Sequence, residues 1–153
     1  MELEWFGAKE LKSPDLIAEF EHMFSYTFCE SYKRCVMKNN GGKPNKHVFD
    51  TEKEPERVFD TLLSFDPEDP GNIWTYQYWD DDEAGLKDKY ICFADSCFGD
   101  PICFDRRDDS VVFVDHETGS VEKIADSFDD FLNCLYVDTE FEEIVKARKP
   151  IPL

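Results

Sequence analysis

Apolar residues near the start of the chain recur with the period of a helix. Ser13 supplies a hydroxyl cap, Pro14 suits the first helical position, and Asp15 suits the positive end of the helix dipole. A helix that begins here would bury one face. Its predicted buried positions are Leu16, Ile17, Phe20, Met23 and Phe24.

A second, shorter helix is predicted over residues 30–38. Tyr32, Cys35 and Val36 share its inward face. The sequence Asn-Asn-Gly-Gly over 39–42 ends this helix, because Asn and Gly tolerate the left-handed conformation that closes helices.

The middle of the chain alternates short apolar runs with turn residues. Residues 47–50 and 57–65 are predicted as short strands or irregular edge segments. Residues 66–71 are predicted as a loop, because they include two prolines and a glycine. The segment 73–79 stays open between two interpretations. Its Trp and Tyr residues favour a strand, whereas Asn72 as a cap favours a helix.

Beyond residue 88 the pattern becomes that of an antiparallel meander. Four short apolar runs, over 90–94, 102–105, 111–115 and 121–125, are separated by turns. Gly119 supplies the positive φ that a hairpin loop of this length needs. Consecutive strands with helices before and after them predict an α+β protein.

A closing helix is predicted after the meander. Asp126 or Ser127 caps it, and Asp130 follows Ser127 at the spacing of a capping box. A further helical piece is expected over 139–148. The buried stripe of the closing helix is Phe128, Phe131, Leu132, Leu135 and Tyr136.

Composition favours one folded domain with a basic partner. A length of 153 residues fits one domain, and 14 Phe residues favour a packed core despite the high charge. The net charge of −18 repels nucleic acid and anionic lipid and attracts basic proteins or cations. Residues 1–49 are electrically neutral, whereas 50–109 hold eighteen acidic and six basic side chains. A binding surface that uses charge should therefore lie after residue 49.

The six cysteines are predicted to be reduced and mostly buried, as in a cytosolic protein. The start of the chain lacks the basic and apolar regions of a signal peptide. The sequence has no N-x-S/T sequon and no apolar run that approaches ~18 residues. We therefore expect a cytoplasmic protein that neither carries N-linked glycans nor spans a membrane.

The sequence offers weak candidates for chemistry. His116 stands between Asp115 and Glu117, and a His beside carboxylates can be a general base or a metal ligand. Three consecutive residues at a hairpin alternate in direction, so they are predicted to form a solvated turn and not to converge on one atom. The acidic run over 80–83 is predicted as a solvated or protein-contacting loop and not as a calcium site.

Sequence motifs of enzymes and metal sites are missing from the chain. The spacing of Cys92, Cys97 and Cys103 matches neither zinc sites nor redox pairs. No nucleophile elbow, phosphate-binding loop, dinucleotide fingerprint or zinc-protease motif occurs. We therefore predict no catalytic residue, no metal ligand and no cofactor.

Several motifs, in order along the chain, resemble those of the SUKH superfamily. Residues 39–44, Asn-Asn-Gly-Gly-Lys-Pro, resemble its "NGG-x-P" helix stop. Residues 91–95 resemble its "IPFA-D" strand, and 103–105 its "C-x-D" strand. Residues 112–117 resemble the strand that ends in "DHE", and 125–132 the closing helix "A-x-SF-x-x-FL". The resemblance covers roughly residues 30–136.

The resemblance implies both a fold and a role. The fold would be α+β, with a central, mainly antiparallel sheet flanked by helices, in a single domain over 1–153. The superfamily includes bacterial immunity proteins and relatives of a fungal cell-wall-synthesis regulator. The implied role is an antidote that binds a co-encoded toxin domain, often a nuclease, and blocks it. The alternative is a regulatory or scaffolding module that binds proteins other than toxins.

Acidic side chains beside aromatic ones mark the predicted partner-binding surface. Aromatic anchors within a charged rim are typical of protein interfaces. The alternative interpretation is that the aromatic residues are core and the acids are solvated turns. The predicted contact residues are Trp74, Tyr78, Trp79, Asp80, Asp81, Asp82, Glu83, Asp105, Asp115 and Glu117.

Overall fold

A computed structural model describes residues 3–77, 85–96 and 99–137. Its main sheet has six strands in the order β3-β4-β5-β6-β7-β8, and β1 pairs with β2 separately. The strands are β1 (Trp5–Phe6), β2 (Lys43–Pro44), β3 (Val48–Phe49), β4 (Arg57–Leu62), β5 (Tyr90–Ser96), β6 (Pro101–Asp105), β7 (Val111–Val114) and β8 (Val121–Ala125). The helices are α1 (Asp15–Phe24), α2 (Glu30–Asn39) and α3 (Phe128–Asn133), with 3-10 turns at Thr75–Gln77 and Leu86–Asp88.

Every neighbouring pair in the main sheet is antiparallel, and strand order follows chain order. Short connections favour this arrangement for the other pairs, because each strand then turns back onto its predecessor, whereas the 27 residues from 63 to 89 separate β4 from β5. Cys103 lies opposite Cys92 on β5 and opposite Val112 on β7, which fixes the register. The predicted α+β fold and its antiparallel meander are confirmed.

The two N-terminal helices form as predicted, with errors in the start and the buried face of α1. Ile17 and Phe20 are buried, but Met23 is 61% exposed. At about 100° per residue, Met23 lies roughly 90° from the centre of the face that Ile17, Phe20 and Phe24 define. Pro14, and not Ser13, occupies the cap position, and Asp15 is the first residue of α1. Ser13 Oγ still accepts a hydrogen bond from the Asp15 amide at 3.1 Å. The helix therefore begins one residue later than predicted, and its buried face is narrower.

The core between the helices and the sheet is built from aromatic rings. Phe93 stacks on Phe104 at a centroid distance of 4.2 Å, and Tyr32 meets Phe104 edge-on at 5.3 Å. Phe28, just before α2, and Phe128, at the start of α3, both pack against Tyr32 and complete the cluster. Offset and edge-to-face rings add to the stability that their buried area already provides. We call these five side chains the aromatic core.

The segment 73–79 was left open between a strand and a helix. Its described part, 73–77, contains a helical turn and no strand. Asn72 Oδ1 accepts a hydrogen bond from the Thr75 amide at 3.0 Å and starts the 3-10 turn Thr75–Gln77. The Gln77 side chain then bonds both the backbone N–H and C=O of Cys92, at 3.0 and 2.8 Å. A side-chain amide thus extends the ladder of β5 beyond the end of β4.

The cysteines follow the prediction in part. Cys92 and Cys103 are fully buried, with sulfur atoms 3.4 Å apart and both thiols free. Cys29 and Cys35 are half-buried, and Cys134 is exposed. Burial raises the pKa of the Cys35 thiol to about 11, so this thiol is a poor nucleophile at neutral pH. Across the described ranges, no helix is long and apolar enough to span a bilayer.

Candidate partner-binding surface

The loop that joins β3 to β4 crosses the sheet and reaches its far edge. The Lys53 amide donates to Glu122 Oε2 on β8 at 3.1 Å, and Arg57 Nη2 donates to Glu122 Oε1 at 3.1 Å. Because β4 and β8 are the second and last strands, these bonds show that the sheet is curled. The curl leaves a groove of about 480 Å³, which we call the Arg57 groove. Residues 54–58, Ser96, Asp100, Phe113 and 115–117 line it.

Arg57 forms the centre of the groove and already has its own charge partners. Its guanidinium carbon lies 4.0 Å from the centroid of the Phe113 ring, a cation–π contact. The same guanidinium contacts Glu54 at 3.3 Å and Glu122 at 3.1 Å, and its Nε donates to Thr51. Two carboxylates therefore offset the one positive charge, and the planar group is held on the ring.

The hairpin between β7 and β8 forms one wall of the groove. Asp115 Oδ1 accepts hydrogen bonds from the Glu117 and Thr118 amides at 2.8 and 3.2 Å. These bonds stabilise the carboxylate and lower the pKa of Asp115. Gly119, at φ +75°, closes the turn by donating its amide to the Asp115 carbonyl. The glycine occupies the position that the sequence predicted.

His116 is fixed by a residue that sequence reasoning missed. Its ring Nδ1 and its backbone N–H both bond Asp100 Oδ1, from the turn between β5 and β6. The Asp100 amide in turn donates to Ser96 Oγ at 3.1 Å. The bond to Asp100 raises the pKa of His116. No sequence signal pointed to Asp100, because the two residues meet only once β6 pairs with β7.

The sequence predicted that the side chains of residues 115–117 would not converge. Glu117 follows this prediction, whereas Asp115 and His116 lie close together. Ligand atoms of Asp100, Asp115 and His116 lie within 4.8 Å of one another. The bonded oxygens of both carboxylates already accept protein donors, two from His116 and two from the hairpin amides. The cluster is thus a hydrogen-bonded support for the turn. Within the described residues, no hydroxyl or thiol bonds the His116 ring as a nucleophile would.

The groove carries an excess of negative charge. Its lining holds Glu54, Glu56, Asp100, Asp115 and Glu117 against the guanidinium of Arg57 and the imidazole of His116. Among the residues that the structure describes, the carboxylates of Glu56 and Glu117 form no ion pair. Both are exposed. The groove can therefore attract a cation without first breaking a bond within the chain.

The other predicted contact residues have different surroundings. Tyr78, Trp79, Asp80–Asp82 and Glu83 lie outside the described residues. Trp74 is half-buried, packs on Phe20 and donates its Nε1–H to the Phe65 carbonyl at 3.0 Å, as a residue at the edge of the core does.

Asp105 is the predicted contact residue that the structure makes least accessible. It is only 4% exposed, and its carboxylate takes two hydrogen bonds from the Arg107 guanidinium, at 3.0 and 2.7 Å. These bonds lower the pKa of Asp105. A partner would have to displace Arg107 to reach it, so we remove Asp105 from the candidate surface. Of the predicted set, the groove brings together Asp115 and Glu117.

Comparison with known protein families gives a match. The family model described as SMI1-KNR4 cell-wall, of the SUKH group, matches residues 14–132. This range includes both walls of the Arg57 groove, helices α1 and α2, and α3 up to its last residue but one. No curated protein matches the chain.

Proposed function

Because this chain belongs to the SMI1-KNR4 family of the SUKH superfamily, we propose that it is an immunity protein that binds and neutralises a cognate toxin domain. The superfamily includes toxin immunity proteins, and its members are generally not enzymes. The immunity protein would then neutralise the toxin in the cytoplasm by covering its active surface. No chemistry on the toxin is required.

The observation that supports this proposal most is the acidic groove on a chain of net charge −18. A domain that acts on nucleic acid, such as a nuclease toxin, presents a cationic surface to phosphates. A negatively charged inhibitor meets such a surface faster and in a defined orientation. The proposed contact residues are Asp115 and Glu117 in the groove, with the acidic run over 80–83 as a second candidate segment.

Co-expression tests the proposed function directly. We expect the neighbouring gene to encode a secreted protein with a C-terminal toxin domain, and co-expression of this chain to restore growth of cells that produce that domain. A matched control is the Phe104→Ala variant, which should lose protection because its core is damaged. Growth arrest that persists beside well-folded wild-type protein would contradict the proposal. Recovery of housekeeping proteins and no toxin in a pull-down would favour the regulatory alternative.

A further inference from the structure

The Arg57 groove has a shape and a lining that suit one particular kind of side chain. Its apolar part consists of Pro55, Val58 and Phe113, and its charged part of carboxylates on two walls. A volume of about 480 Å³ holds at most a few side chains and lies within the range of small-ligand sites. A group that fits must present an apolar stem and a cationic head. Lysine and arginine have this form, because their stems pack on apolar surface while the head stays polar.

We propose that the Arg57 groove is a receptor slot for a lysine side chain of the partner protein, with Glu56 and Glu117 holding the ammonium group from the two walls. This inference rests on the proposed function for the partner's identity, and on the groove alone for the chemistry. The cation of Arg57 does not oppose it, because Glu54 and Glu122 already neutralise that guanidinium. The remaining carboxylates give the slot its net negative charge.

The two walls are held in place before any partner arrives. The Glu56 amide donates to Asp50 Oδ1 at 3.0 Å, and the same oxygen accepts the Tyr136 hydroxyl at 2.6 Å. On the other wall, Asp115 bonds the Glu117 amide, and Asp100 bonds His116. A slot with fixed walls loses little conformational entropy on binding, which favours affinity.

Lysine suits this arrangement better than arginine. An ammonium is a compact charge with three rotatable donors, whereas a guanidinium is a planar fork that prefers one carboxylate in a bidentate pair. Here Glu56 and Glu117 belong to different elements, the loop before β4 and the hairpin after β7. Acceptors on separate walls match donors that point in separate directions.

A titration with L-lysine amide, followed by amide NMR, tests the slot without the toxin. L-lysine amide should shift the signals of the 115–118 hairpin and of Ser96 in a saturable way, and added salt should weaken binding. Glu56→Gln and Glu117→Gln should each reduce affinity by about 1.5- to fivefold, the range for one exposed ion pair. Glu52→Gln is the matched control, because Glu52 is exposed on the same loop and does not line the groove.

Two further ligands separate the slot from general charge attraction. L-norleucine amide has the same four-carbon stem and the same α-amino group without the side-chain ammonium, and it should produce no saturable shift. L-arginine amide should bind more weakly than L-lysine amide. Equal losses in Glu117→Gln and Glu52→Gln, tighter binding of arginine amide, or no saturable shift with lysine amide would overturn the slot. Growth rescue together with a failed titration would reject the slot and leave the immunity function standing. A saturable titration without growth rescue would reject the immunity function and leave the slot standing.

Discussion

The aromatic core and the Arg57 groove lie on the same sheet and are stabilised by different forces. In the core, rings such as Phe93 and Phe104 are fully buried and contact one another from several directions. Their stability comes from apolar burial, which has little directional demand and little sensitivity to salt. In the groove, Arg57 and Asp100 form individual hydrogen bonds and ion pairs, each of which is lost when one partner is removed.

The difference indicates which region the fold needs and which a partner would use. The rings of the core are buried and pack on one another, so they offer no surface to a partner, although the buried Tyr32 hydroxyl has no hydrogen-bond partner among the described residues. The groove keeps two exposed carboxylates, Glu56 and Glu117, without an ion pair in the described part of the chain. Neither contributes to holding the walls by its own charge. Substitutions in the core should therefore change stability, and those at these two carboxylates should change binding.

The largest effect is expected from the core. Phe104→Ala should lower the free energy of unfolding by about 3–5 kcal/mol, because it removes a buried ring and leaves a cavity. Met23→Ala, at a residue that is 61% exposed, is the control and should change it by less than about 0.5 kcal/mol. Urea denaturation followed by circular dichroism measures both. Similar values for the two variants would mean that the aromatic core does not carry the stability.

The next effect concerns the ion pairs at the base of the groove. Arg57→Met should cost about 1–3 kcal/mol of unfolding free energy, because the Glu122 carboxylate, 11% exposed, loses its partner. Adding Glu122→Gln to that variant should recover part of the loss. Lys123→Met removes an exposed pair with Asp126 and should have no measurable effect. If the losses of unfolding free energy in Arg57→Met and Glu122→Gln simply add in the double variant, the ion pair between these residues does not stabilise the fold.

These results bear on how much of the molecule the sequence could predict. The meander strands, the stop at Gly41 and the Ser127 cap depend on neighbours within a few residues, and local pattern was sufficient for them. The bond between His116 and Asp100 joins residues 16 apart, and the one between Arg57 and Glu122 joins residues 65 apart. The first pair forms only when β6 pairs with β7, and the second only when the sheet has curled. The groove was therefore invisible to local pattern, although the resemblance had singled out two of its residues, Asp115 and Glu117.

A smaller effect is expected at Asp105, which was predicted to contact a partner and which bonds Arg107 within the chain. Because Arg107 lowers the pKa of Asp105 in the folded state, the carboxylate adds stability above its unfolded pKa of about 3.9. That contribution is lost as the pH falls through the lower folded pKa. Asp105→Asn should cost about 1 kcal/mol at pH 7, and the deficit should shrink below about pH 4. Denaturation at pH 7 and pH 3 measures it, and a deficit that is equal at both would count against the bond.

The smallest effect is expected at His116, which faces Asp100 from the turn before β6 and Asp115 and Glu117 from its own hairpin. These groups raise the pKa of His116 in the folded state. Its contribution to stability is full below the unfolded pKa of about 6.5 and is lost as the pH rises through the raised folded value. The wild type should therefore have a slightly higher melting temperature at pH 6 than His116→Gln, and the two should converge by about pH 9. A difference in melting temperature that stays constant from pH 6 to pH 9 would exclude the charged pair between the His116 ring and Asp100 in solution.

The central claim, that a basic partner binds through the Arg57 groove, is tested most directly by the association rate with the cognate toxin domain. Glu56→Lys/Glu117→Lys should slow association roughly tenfold at low salt and flatten its dependence on salt. Glu52→Lys/Glu68→Lys changes the net charge by the same amount outside the groove, at exposed residues, and should have a much smaller effect. Reversal of Asp80, Asp81 and Asp82 to Lys tests the second candidate segment in the same assay. Equal slowing by the first two pairs, or slowing by the 80–82 reversal alone, would contradict the groove as the binding site.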